Sequence, residues 1–150
     1  MNRFFCKTLP VLVVLPATLV LTALACGDVT SPVIDPTSVE LQFTYRFVPY
    51  WNPFGIAVDG GNGSLAVRGS FVTGSGGFEL RAEFMRRDKG YELSIIADEV
   101  SGGLDVPIHY RYEAILRDLP AGRYALLVMH RYPDEGVPDF AAFDGHVEVK

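Results

Sequence analysis

The chain has 150 residues, a formal charge of −5 at neutral pH, 49% hydrophobic residues and two cysteines, Cys6 and Cys26. That length suits one domain, and the acidic balance offers no footprint for nucleic acid. Both cysteines stand near the N-terminus, so no disulfide framework is available to the rest of the chain.

Residues 1–25 open with Arg3 and Lys7, continue as an apolar run from Leu9 to Leu24 broken by Pro10 and Pro16, and end on small residues before Cys26. This is the pattern of an export signal that is removed. It is too short and too broken for a comfortable membrane span. Losing Arg3 and Lys7 takes the formal charge from −5 to −7 and leaves Cys26 without a disulfide partner. A small domain without disulfides relies on its apolar core, which the remaining length can supply.

The junction Leu21-Thr22-Ala23-Leu24-Ala25-Cys26-Gly27 resembles the end of a bacterial lipoprotein signal. It departs in having Ala23 where Leu is usual and Leu24 where a small residue is usual. The resemblance implies cleavage before Cys26, lipidation of Cys26 and a membrane partner reached through that anchor. Gly27, by the sorting rule of enteric bacteria, implies onward transfer to the outer membrane. Several acyl chains on one cysteine hold firmly where a single chain is marginal. Residues 26–38, with Pro32 and Pro36, then read as the lipidated cysteine and a flexible tether, and 39–150 as the folded domain.

Val39–Val48 alternates, with Val39, Leu41, Phe43, Tyr45 and Phe47 on one face. This is the first strand. Residues 49–63 are a long connection holding Tyr50, Trp51 and Phe54. Strands follow at Ser64–Val72, where Gly69 marks a bulge or a close backbone approach, at Phe78–Arg86 and at Tyr91–Val100. Ile108–Leu116 and Arg123–Tyr132 alternate again, the second with Tyr124, Leu126, Val128 and His130 on one face. An acidic loop, 133–145, precedes a short last strand at His146–Lys150. About seven strands and no helical period predict an all-β antiparallel sandwich, with a jelly-roll-like sandwich or an open barrel as alternatives.

Between the fifth and sixth strands, Leu119-Pro120-Ala121-Gly122-Arg123-Tyr124 resembles the tyrosine corner of fibronectin type III and other immunoglobulin-like sandwiches. The resemblance implies that the Tyr124 hydroxyl bonds to backbone just upstream and that the flanking strands lie in opposite sheets. Leu126 stands where the second cysteine of an immunoglobulin domain would be.

No catalytic motif is present: there is no G-x-S-x-G elbow, and no phosphate-binding loop leads into a helix. The three histidines, His109, His130 and His146, lack metal-ligand spacing. Asp134, Glu135, Asp139 and Asp144 are oxygen donors on one loop, but not at EF-hand spacing. No metal or cofactor is expected. The aromatic group Tyr50, Trp51 and Phe54 is the candidate contact surface for a protein or glycan, or else a plug for the end of the sandwich. The expectation is a non-enzymatic envelope lipoprotein that acts as a binding or structural module. An alternative rests on Asn52-Pro53-Phe54-Gly55, Gly74-Ser75-Gly76-Gly77 and Arg131-Tyr132-Pro133, which resemble the three loop motifs of chagasin-like cysteine-protease inhibitors. The first is a residue short and the third is scrambled.

Overall fold

A strand buries the face on which its apolar residues recur, and alternation decides that face for most of this chain. The computed structural model describes residues 32–49, 55–74, 76–100, 106–132 and 136–150. Its strands are β1 (Glu40–Phe47), β2 (Ala57–Gly60), β3 (Ser64–Thr73), β4 (Phe78–Arg87), β5 (Gly90–Glu99), β6 (Ile108–Arg117), β7 (Gly122–Arg131) and β8 (Phe140–Val149). They form two four-stranded sheets, ordered β1-β6-β3-β2 and β4-β5-β7-β8. The core lies between them, with Leu65, Val67 and Phe71 from β3 and Tyr112, Ala114 and Leu116 from β6 on one side. Leu93 and Ile95 from β5 and Leu126 and Val128 from β7 form the other side. The two sheets are separate, so the barrel alternative is not what forms.

Two features depart from a seven-stranded antiparallel plan. The first is strand count. β2 hides inside the long connection, where four residues flanked by glycines carry too little pattern to read. β8 begins at Phe140 rather than His146. Ala142 has no partner in its register with β7, and this irregularity between Val128 and Met129 breaks the alternation that would have revealed the strand. The second is direction. β5 and β7 pair in parallel, Tyr91 beside Leu126 through Ile96 beside Arg131. Parallel neighbours need a long crossover, and here β6, lying in the opposite sheet, carries the chain back between them.

The corner between β6 and β7 has the geometry its resemblance implies. The Tyr124 hydroxyl donates to the Pro120 carbonyl at 2.6 Å, and β6 and β7 belong to different sheets. The left-handed residue of the turn is Asp118, at φ 62°. Gly122 serves closeness instead: a Cβ there would sit 2.3 Å from the ring of Pro32. Tyr124→Phe deletes only the buried hydroxyl's bond and is expected to cost about 1 kcal/mol. A thermal melt with an unchanged midpoint would show that bond to contribute nothing.

Pro32 also corrects the boundary of the fold. The tether expected over residues 26–38 is shorter than its pattern implies, because Pro32 and Ile34 are fixed to the domain. The Tyr91 hydroxyl donates to the Pro32 carbonyl at 2.9 Å and accepts from the Ile34 amide at 2.8 Å, and Ile34 is buried in the core. A single 3₁₀ turn, Pro36–Ser38, follows, with the Asp35 carboxylate accepting from the Thr37 amide at 3.0 Å. Gly69 shows neither the bulge nor the close backbone approach expected of it; the neighbour that needs the space is a side chain. The β3–β6 register is continuous, and a Cβ on Gly69 would meet the Tyr112 hydroxyl at 2.5 Å.

Candidate functional site

The connections sort to two ends. At one end lie the β2–β3 turn, the β4–β5 turn and the Tyr124 corner, all short, together with the packed residues 32–34. At the other end lie the remaining four connections: β1 to β2, β5 to β6 and β7 to β8, which are the three longest, and the four-residue link from β3 to β4. Exposed apolar side chains lie at this loop end: Phe47, 56% exposed, at the end of β1; Val100 after β5; Val106 before β6; Val137 and Phe140, 48% exposed, before and at the start of β8; Val33, 72% exposed, lies at the corner end. Monomeric proteins seldom leave such side chains grouped unless they serve an interaction.

Phe47 and Tyr45 share a face of β1 with Leu41 and Phe43, which are half-buried. Phe47 and Tyr45 remain exposed, because β1 is an edge strand and its last turns reach past the facing sheet's cover. Tyr45 packs edge-on against Tyr110 at 5.7 Å between ring centres, and the Tyr110 hydroxyl reaches across to the Phe78 carbonyl at 3.1 Å. Tyr50, Trp51 and Phe54, the candidate contact residues, belong to the β1–β2 connection that leaves from Phe47. They lie outside the described residues, as does Cys26, the candidate lipidation site.

Below the loop end is a buried polar pair. The Tyr112 hydroxyl and His130 Nε2 share a hydrogen bond of 2.9 Å between the two sheets. Phe71 and Phe140 pack on the imidazole at 4.7 and 4.9 Å. Burial pushes the His130 pKa down to about 4 and the Tyr112 pKa well up, so both are neutral at pH 7. A neutral pair buried in this way joins the two sheets across the core. His109 lies half-buried on β6 and His146 exposed on β8, so the three histidines do not meet. Among the described residues no three His, Cys, Asp or Glu side chains converge on a point that could hold a metal ion.

The acidic loop is likewise divided. Asp134 and Glu135 lie outside the described residues. Asp139 accepts from Arg131 at 2.8 Å and from the Tyr132 amide at 3.3 Å, while Asp144 stands within β8. Arg131 in turn reaches Glu92 at 2.6 Å and the Ser94 hydroxyl at 3.0 Å, and Arg87 faces the other Glu92 oxygen. Glu92 is fully buried. Nothing in the sequence marks it, since an outward-facing Glu on a strand is ordinary and its two arginines come from other strands. Every group in this network is turned on another, so it braces the outer face of the second sheet.

Protein-family models, curated proteins and solved structures alike return no match to this chain.

Proposed function

We propose that this protein is a lipid-anchored protein of the cell envelope, acylated at Cys26, held at the outer membrane, and acting as a non-enzymatic binding module for a protein or glycan. One observation carries the reading: the chain joins the domain at one end, and the three longest connections, with Phe47, Val100, Val106, Val137 and Phe140 exposed, lie at the other, Val33 being an exposed apolar side chain at the anchor end. With Pro32–Ile34 fixed to the domain, only residues 27–31 separate it from Cys26. Six residue steps span at most about 20 Å. An anchor so short holds the corner end near the bilayer and turns the loop end, with Phe47 and Phe140, toward partners. Mass spectrometry of the mature N-terminal peptide is expected to show acylated Cys26; an unmodified peptide beginning elsewhere contradicts the anchor.

We also place the domain near the immunoglobulin-like sandwiches. The Tyr124–Pro120 bond across a change of sheet supports that kinship, and the parallel β5–β7 pair is this chain's own departure. A second reading, a chagasin-like inhibitor, gains from one observation. The connections carrying residues 52–55, 74–77 and 131–133 all belong to the loop end. Titration of papain separates the two readings: saturable inhibition supports the inhibitor, and full retained activity at excess protein removes it.

A further inference from the structure

The outer face of the first sheet carries a hollow of about 570 Å³ between β1, β6, β3 and the start of β2. Its size falls in the range of small-molecule sites. Two rows of side chains border it. In one, Arg46 stands directly opposite Arg111; in the other, Thr44, Glu113, Arg68 and Ala57 follow one another across the four strands. Ala57, Gly55 and Gly69, which line it, leave room there.

The charges are unevenly satisfied. Arg68 is held by Glu113 at 2.6 Å and by Asp59 at 3.1 Å. Arg111 is partly buried and has interactions of its own. Arg46 makes no ion pair among the described residues. Like charges directly opposed on neighbouring strands have Cβ atoms about 5 Å apart and destabilise the sheet. An anion seated between Arg46 and Arg111 reverses the sign of that contribution, and a guanidinium offers a planar fork matched to a carboxylate.

We propose that this hollow binds a uronate, a sugar acid with one carboxylate. Arg46, the cation at the rim that makes no ion pair among the described residues, matches a monoanion. Glu113, in the same hollow, opposes a second negative charge and so disfavours a phosphate dianion. The Thr44 hydroxyl and the Glu113 carboxylate border the position beyond the arginines, where they can meet the hydroxyls of a sugar. This deepens the binding reading and is independent of the anchor, since the hollow is lined by residues of β1, β2, β3 and β6 and by Gly55.

The test is a titration of the full-length, ¹⁵N-labelled chain with sodium glucuronate, following the arginine Nε–H signals. Saturable shifts at Arg46 and Arg111 are expected, with none from glucose at matched concentration. Arg46→Ala is expected to weaken binding about tenfold, the loss of one charge-assisted contact. Arg86→Ala, near the end of β4 in the other sheet, is expected to leave it unchanged. A uronate oligosaccharide that binds more tightly than glucuronate identifies a polysaccharide as the source, and equal affinity identifies the free sugar acid. Absence of saturable shifts, stronger shifts with inorganic phosphate, or unchanged affinity in Arg46→Ala overturns the proposal. The lipid on Cys26 and the papain titration are read separately, so failure here removes the hollow alone.

Discussion

Arg131→Ala is expected to destabilise the domain by about 3 kcal/mol, the lower end of the cost of stranding a buried charge. Glu92 has no exposed surface, and Arg131 supplies its contact at 2.6 Å while also holding Ser94 and Asp139. Arg87 still faces the second oxygen in the variant, which is why the lower end applies. Burial pushes the Glu92 pKa up, but hydrogen bonds from Ser94 and Arg131, together with the charges of Arg131 and Arg87, outweigh it and hold the pKa below the ordinary 4.5. The stabilisation is therefore present above pH 4.5 and is lost as pH falls through the folded-state value. Adding Glu92→Gln to Arg131→Ala is expected to recover part of the loss, since the stranded charge is gone. Urea midpoints at pH 7 measure both; equal midpoints for the parent and Arg131→Ala would show the network to be ornamental.

Acid acts earlier through His130. Its folded pKa of about 4 lies below the unfolded 6.5, so the folded state binds fewer protons. The stability linked to His130 is complete above pH 6.5 and falls away between pH 6.5 and 4. By pH 5 the loss is about 2 kcal/mol relative to pH 8, and it levels off near roughly 3 kcal/mol below pH 4. The rings packed on the imidazole are Phe71, Tyr112 and Phe140, none of which carries a charge in that range. His130→Phe is expected to lower stability by about 1 kcal/mol at pH 8, because the Tyr112 hydroxyl loses its partner. It is also expected to flatten the profile between pH 8 and 5. A profile as steep in the variant as in the parent would assign the acid sensitivity elsewhere.

How much of this was legible depends on what each residue needs for its signal. Alternation suffices for β3, β6 and β7, and Leu-Pro-Ala-Gly-Arg-Tyr suffices for the corner, because period and turn chemistry are local. β2 was missed because four residues are too few for a period, and the start of β8 because one irregular residue shifts the phase at Ala142. The parallel β5–β7 pair leaves no local trace, since each strand looks the same whichever way its neighbour runs. Pro32–Ile34 looked like tether because its partner, the Tyr91 hydroxyl, is 57 residues from Ile34 in the chain. The loop end was legible only in part. The aromatic residues of the β1–β2 connection drew notice, whereas Phe47 and Phe140 stood out only once their strands had been brought to one end. Arg46 and Arg111 are ordinary surface residues until the β1–β6 register sets them face to face.

The two-ended arrangement is the central claim, and energy transfer to the bilayer tests it most directly. With Cys6 removed and Cys26 acylated, a cysteine introduced by Arg123→Cys at the corner end, or by Val106→Cys at the loop end, is the sole site for a dye. Both parent residues are exposed. Ten-residue strands separate the ends by about 33 Å. In vesicles containing acceptor-labelled lipid, the full-length protein is expected to show strong transfer from the dye at position 123 and much weaker transfer from position 106. Equal transfer from both positions, or stronger transfer from position 106, would contradict an anchor that presents the loop end away from the membrane.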